Sequence, residues 1–374
     1  MSGLLSAWRE WRDRRDILRD LRRQQGDASE RDQFKVKDDL TYALSALERD
    51  DPAQATQLWT QSLSRYPRET RNSPLALKVL LGLRRFDEAQ ALMQEGRTKN
   101  PREVYFARSL AEVAQARGNH DEVIRLCADL RKQYPGVMEG YGLAAGTFAA
   151  KGQLDEAEAL AAETIKRFPD QLMGYLEYGR IADRRMDWPQ ALARWQVVQR
   201  QFGHHIGYTG TAQAMLRLER YHEADTLLSE ARALFPTNLG IFTEFARSAQ
   251  MKGDVMEAKE RWNAVLKRFP QQPHGFFAAA EAFEALGEPA EAEATLRVAI
   301  DRFPREQRPF FELAHLLQRR GNVLAAAEVW AGLRQAFPDT EESYIHGAEA
   351  LAHTGRSDEA EALRAEHRRR FGSG

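Results

Sequence analysis

The stretch Gly152-Gln153-Leu154-Asp155-Glu156-Ala157, with the Arg167-Phe168-Pro169 that follows it, decides the fold. Variants of it recur along the chain. The small residue that closes the first phrase falls at Ala55, Ala89, Val123, Ala157, Ala191, Ala224, Ala258, Ala292, Ala326 and Ala360, every step being 34 residues except the 33 from Ala191 to Ala224. Twelve residues after this anchor stands a proline (Pro67, Pro101, Pro135, Pro169, Pro236, Pro270, Pro304, Pro338), with Gly203 and Gly372 in the two remaining places. A fixed period of this length marks a solenoid of stacked units, each burying its apolar face on its neighbours.

The chemistry inside one period predicts two helices. Five residues before the anchor, Gly118, Gly152, Gly253, Gly287, Gly321 and Gly355 stand where a helix must end in the left-handed region, which glycine enters without a Cβ penalty. The next residue is often a capping type: Asp51, Asn119, Asp187, Asp254, Asn322. Asn119 with Glu122 and Asp254 with Glu257 have capping-box spacing. Four residues past the anchor, Trp59, Trp195, Trp262 and Trp330 supply bulk to the second helix, which the Phe-Pro step then stops. Sixteen residues before the anchor an aromatic recurs at Tyr141, Tyr175, Tyr208, Phe242, Phe276, Phe310 and Tyr344. Such a stripe reads as core packing between paired helices rather than as a ligand platform.

An early aromatic, a small residue after it, glycine at the turn, alanine in the second helix and a closing proline together resemble the tetratricopeptide repeat. The resemblance runs from about Lys35 to Phe371, over ten units, specific from Tyr141 onward and looser before it. It implies an all-α fold, an α-α superhelix of antiparallel helix pairs whose concave groove, lined by the first helices, binds a protein or peptide, as in a bacterial-type scaffold. Residues 34–374 form this array; residues 1–33 stand apart as an amphipathic helix and a hinge.

Within residues 1–25, Leu4, Leu5, Trp8, Trp11, Leu18 and Leu21 fall mostly on one broad side of a helix, and seven arginines against four acids give this stretch a local charge of +3. One reading has it cap the open end of the solenoid or dock a partner. The alternative, carried by Trp8 and Trp11, lays it on a membrane surface, making the chain a peripheral adaptor for an envelope or polysaccharide assembly system. Gly26 to Gln33 is polar and reads as a hinge.

Composition narrows the function classes. With 54 basic and 55 acidic residues there is no global field to draw nucleic acid, so none is expected as a partner. A single cysteine, Cys127, rules out an internal disulfide framework and suits a reducing compartment. With no apolar run of signal or spanning length, a cytoplasmic chain, in the adaptor reading one peripheral to the inner membrane, is the default expectation. No phosphate loop, nucleophile elbow or dinucleotide fingerprint occurs, so the chain reads as non-enzymatic, with no catalytic residue, no cofactor and no metal. His204-His205 is the one adjacent histidine pair, and adjacent side chains rarely converge on one ion.

If the groove carries the function, its lining is found eleven, eight and seven residues before each anchor. Those places hold Arg180, Asp183, Arg184, Gln213, Arg217, Arg247, Gln250, Glu281 and His315, with Glu284, Gln318, Arg319 and Glu349 beyond. The middle is basic and the later units carry acids, which suits an acidic partner or a free carboxylate gripped by arginine. Some members of the family clamp a C-terminal carboxylate with groove asparagines; none stands at the eleventh place here. Gly142 and Gly146 leave a bare patch where a ligand backbone or a neighbouring helix approaches. Self-association is compatible with the same architecture. The joint Gly203-His204-His205-Ile206-Gly207-Tyr208, one residue short and without its proline, marks either a bend in the groove or a tolerated deletion in a surface loop.

Overall fold

A computed structural model describes residues 28–49 and 51–372. Trp8, Trp11 and the amphipathic segment around them lie outside the described residues. The chain divides into two compact units, Met1–Glu177 and Tyr178–Gly374. In the first, the helices are α1 (Ala28–Glu48), α2 (Pro52–Arg65), α3 (Pro67–Asn72), α4 (Ala76–Gly82), α5 (Phe86–Lys99), α6 (Val104–Arg117), α7 (His120–Gln133), α8 (Glu139–Ala150) and α9 (Leu154–Arg167). Helix α10 (Leu172–Arg184) runs through the boundary. The second unit continues with α11 (Trp188–Phe202), α12 (His205–Arg217), α13 (Tyr221–Leu234), α14 (Leu239–Lys252), α15 (Val255–Arg268) and α16 (Pro273–Ala285). It closes with α17 (Pro289–Arg302), α18 (Arg308–Arg319), α19 (Val323–Ala336), α20 (Glu341–His353) and α21 (Ser357–Phe371). Among the described residues there is no strand. No helix among them is long and apolar enough to cross a membrane.

The pattern reads into this architecture residue by residue. All ten anchors are at most 1% exposed, so the helices of each pair meet where the side chain is smallest. Trp59, Trp195, Trp262 and Trp330 are at most 2% exposed. The six turn glycines have φ between 75° and 84°. Asp51, Asn119, Asp187, Asp254 and Asn322 each accept the N–H three residues on, as helix caps do. The aromatic stripe is core: Tyr141 meets Phe168 edge-on at 5.6 Å. Tyr208–Phe235, Phe242–Phe269, Phe276–Phe303, Phe310–Phe337 and Tyr344–Phe371 repeat the contact at 5.1–6.1 Å. Each ring thus joins the start of a unit's first helix to the end of its second, in the edge-to-face geometry that aromatic quadrupoles favour.

Neighbouring units are tied by a second device that the spacing did not announce. Arg268 donates through Nε and Nη2 to the Pro236 carbonyl at 3.0 and 2.7 Å, and Arg302 to that of Pro270 at 3.1 Å. Arg370 does the same to Pro338. The proline closing one unit therefore exposes a carbonyl that the next unit's last-turn arginine satisfies. These arginines also lie over stripe rings, Arg268 at 4.7 Å from Phe242 and Arg302 at 5.5 Å from Phe276.

Four expectations change. Residues 28–33, read as part of a hinge, are helical in α1, because Ala28, Glu30, Arg31 and Gln33 favour helix and no breaker separates them from Lys35. The first helix expected before Ala89 is split into α3 and α4. Ser73, held extended at ψ 133° ahead of Pro74, cannot continue α3. The capping boxes at Asn119 and Asp254 have only their forward bond. Glu122 turns to Arg125 at 2.6 Å and Glu257 to Arg261 at 2.5 Å, since a guanidinium outcompetes a cap N–H. The short joint, expected as a bend in the groove or a tolerated deletion, is a two-residue link between closely packed helices. Gly203 ends α11 at φ 57°, and α12 starts two residues later, capped by His204 Nδ1 accepting from Ile206 N–H at 3.3 Å. A Cβ at Gly207 would lie 2.5 Å from the Gln199 backbone nitrogen, so α11 and α12 touch backbone to backbone. The two imidazole rings lie 4.3 Å apart, tilted by 31°. Among the described residues no cluster of three metal-ligating side chains forms. Cys127 is fully buried, and burial pushes its thiol up to about 11, the character of a structural cysteine.

Three turns lack glycine yet keep its conformation: Arg84, Met186 and Glu219 have φ of 56–59°. A left-handed L-residue costs about 1–2 kcal/mol, and glycine's extra chain entropy recovers only about 0.5–1 of that on replacement. Met186→Gly is the cleaner test, because Met186 is 70% exposed and loses little packing. It is expected to raise stability by about 0.5–1 kcal/mol, measured as an upward shift of the denaturant midpoint.

Candidate functional site

The first helices of the second unit carry the side chains that stand away from the packing stripe. On α10 these are Arg180, Asp183 and Arg184; on α12, Gln213 and Arg217; on α14, Arg247 and Gln250; on α16, Glu281; on α18, His315. A cavity of about 230 Å³ gathers Asp183, Gln213, Arg217 and Arg247 from three successive first helices, together with Trp188 and Glu244. Arg180, Arg184 and Glu281 are exposed and Gln250 half-buried, none of them in its lining. His315 belongs to a different group: its ring lies 5.4 Å from buried Trp330 and 5.7 Å from His346, with Nδ1 at 3.2 Å from Gln318 Oε1.

The centre of the cavity is a hydrogen-bonded set. Gln213 Nε2 donates to Glu244 Oε1 at 2.9 Å, and Arg247 Nη1 donates to the same oxygen at 2.5 Å. Asp183 is anchored from behind, both its oxygens accepting from the buried Trp195 indole at 3.1 and 2.9 Å. Burial raises the Asp183 carboxyl above the usual carboxylate range, and Trp195 and Arg180 offset this only in part. Arg217 lies over the Trp188 ring at 5.5 Å. Farther along, Arg319 grips Glu284 with two bonds of 2.9 and 2.8 Å, joining α16 to α18.

This electrostatic picture differs from the basic centre expected from sequence. The cavity is lined by two carboxylates, Asp183 and Glu244, and two guanidinium groups, Arg217 and Arg247, which cancel. Arg184, exposed and next to Asp183 in the chain, stands outside this balance. Sequence reasoning missed Glu244 and Trp188. Glu244 was within reach: it stands three residues before Arg247 on one helix face, the spacing of an ion pair. Trp188 begins a second helix, outside the first-helix positions that the repeat assigns to the groove.

A larger cavity, about 650 Å³, lies in the first unit between Gln90, Arg97, Leu110, Arg117 and Arg125. Two of its cations are paired with carboxylates, and Arg97 bonds a neutral amide. Arg97 bonds Gln133, Arg117 bonds Asp87, and Arg125 bonds Glu122 and Asp129. The bare patch in the same unit packs on the next first helix: a Cβ at Gly142 would press on the flexible Met173 side chain at 3.2 Å, and one at Gly146 would meet Glu177 at an ordinary 3.5 Å.

The tetratricopeptide repeat family matches residues 75–137 and 243–306. No curated protein matches the chain. Among solved structures, yeast Tom70 is similar with a TM-score of 0.56 at 17% identity, covering 80% of this chain and 62% of that one. The APC/C hetero-tetramer Cut9–Hcn1 gives a TM-score of 0.43 at 14% identity, covering 80% of this chain and 59% of its own. The chain thus spans about three-fifths of the length of these structures. At 17% identity the likeness to Tom70 is one of fold.

Proposed function

We propose that this chain, built of tetratricopeptide repeats, is a non-enzymatic scaffold that holds a segment of a partner protein along the first-helix face of its second unit. The observation that carries the reading is the meeting of polar side chains from α10, α12 and α14 at one cavity, where packing alone calls for none. Solvent-facing polar groups on rigid helices are already ordered, so a bound peptide loses little affinity to ordering them. The exposed Arg184, next in the chain to Asp183 of a charge-balanced cavity, favours a partner with an acidic residue next to a neutral stretch.

Affinity capture with the purified full chain tests this. The double reversal Arg184→Glu/Arg217→Glu is expected to reduce capture of the partner about tenfold or more, the scale of losing two charge-assisted contacts. Reversal of Arg297, a half-exposed residue on second helix α17, is the control and is expected to leave capture unchanged. Equal capture by the groove double variant and the wild type removes the groove from the function.

A further inference from the structure

The carboxylate at the centre of the groove has one oxygen with nothing to bond. Glu244 is 5% exposed; its Oε1 takes donors from Gln213 and Arg247, while Oε2 is shut off from solvent and has no hydrogen-bond partner. Buried carboxylate oxygens are normally satisfied, and one left bare lowers the stability of the free protein in favour of whatever supplies a donor. Glu244 lines the cavity, so the donor can come from a ligand. Reaching Oε2 requires the lining to shift, and Arg247, bonded to the neighbouring Oε1, has a side chain 43% exposed and so has room to move.

The charge balance says what kind of donor. An ammonium or guanidinium would face Arg217 and Arg247, and a carboxylate would face Asp183 and Glu244. A neutral dipolar group meets no such opposition. Its N–H suits Glu244 Oε2, and its carbonyl suits the Arg217 guanidinium poised over Trp188. We propose that this cavity is a subsite for an amide group of the bound peptide. Glu244 reads the N–H and Arg217 the C=O, which deepens and rests on the groove reading above. Main-chain amides and the carboxamides of Asn or Gln share this chemistry.

The test uses isotope-labelled full chain and two neutral probes, Ac-Gly-Gln-Gly-NHCH3 and Ac-Gly-Gly-Gly-NHCH3, whose ends carry no primary carboxamide. The NMR signals of the Gln213 side-chain amide and the Trp188 indole report on the cavity. Saturable shifts of both signals are expected. Equal response to the two peptides assigns the subsite to main-chain amides, and response to the glutamine peptide alone assigns it to carboxamides; either supports the proposal. Glu244→Gln is expected to weaken the titration at least tenfold, about 1.4 kcal/mol. Arg217→Leu, at an exposed position, is expected to weaken it as well. No saturable shift in the wild type, or an affinity unchanged in both variants, overturns the proposal. Partner capture that is lost on charge reversal while the peptides leave both signals still sinks the subsite alone; capture indifferent to reversal sinks the groove reading itself.

Discussion

Replacing Gly207 with alanine is expected to destabilise the second unit by about 3 kcal/mol, the upper part of the range for overpacking. The added Cβ would stand 2.5 Å from the Gln199 nitrogen, 2.8 Å from its Cα and 2.9 Å from the Val198 carbonyl carbon. All three are backbone atoms in the middle of a helix, so no side chain can rotate away. The joint cannot lengthen to relieve the clash, because α11 and α12 are separated by only Gly203 and His204. Gly146→Ala in the first unit is the matched control. Its Cβ meets Glu177 at an ordinary 3.5 Å, and alanine favours a helix interior by about 1 kcal/mol, so that variant is expected to be stabilised. Denaturant midpoints of the two variants should move in opposite directions. A Gly207→Ala protein as stable as the wild type would mean that α11 and α12 do not touch.

The second large effect is expected at Asp225. Arg261 donates to both its oxygens at 2.9 and 3.0 Å, lies 3.6 Å from the centre of the Phe245 ring, and donates also to the Phe245 carbonyl and to Glu257. Ser248 adds a further bond to Asp225. The two charged side chains are 11% and 22% exposed. Breaking a fully buried pair costs about 3–5 kcal/mol, so Asp225→Asn is expected to lose about 2–3 kcal/mol at neutral pH. Burial by itself would raise the Asp225 carboxyl, but the bonds from Arg261 and Ser248 outweigh it and hold the group below its usual range. A carboxyl whose folded pKa is depressed stabilises the fold fully above its unfolded value, about 3.9, and loses that contribution as pH falls through the folded value. The stability gap between wild type and Asp225→Asn should therefore be constant from about pH 5 upward and close below about pH 4. A gap independent of pH down to acid denaturation would show that the Asp225 charge contributes nothing.

These two sites mark where reading the chain stops being enough. Gly207 looks like any loop-side glycine, and its role depends on how far α11 and α12 approach after the one-residue shortening. Asp225 stands beside anchor Ala224 among the acids that open second helices, where the helix dipole accounts for a carboxylate without further explanation. Its partner Arg261 is 36 residues away, on the next unit's second helix. Both contacts are between units, and a repeat period specifies that neighbours touch without specifying which polar atoms meet. The groove shows the same division. Asp183, Gln213, Arg217 and Arg247 were found because their spacing puts them on one face of three helices. Their charge state was misread, since Glu244 is hidden in the lining and neutralises Arg247 from beneath.

The sequence by itself determined the architecture. Turn glycines, caps, anchor alanines, stripe aromatics and stopping prolines are local or next-neighbour devices. Each works through backbone sterics or hydrogen bonds within some 35 residues, so periodicity reports them directly. Only the tertiary structure decided the chemistry of the face that this architecture presents. It brought α10, α12 and α14 to one cavity and left it without net charge. It also showed that a buried carboxylate there has an oxygen to spare, because electrostatics and desolvation depend on distances between side chains that no spacing along the chain encodes.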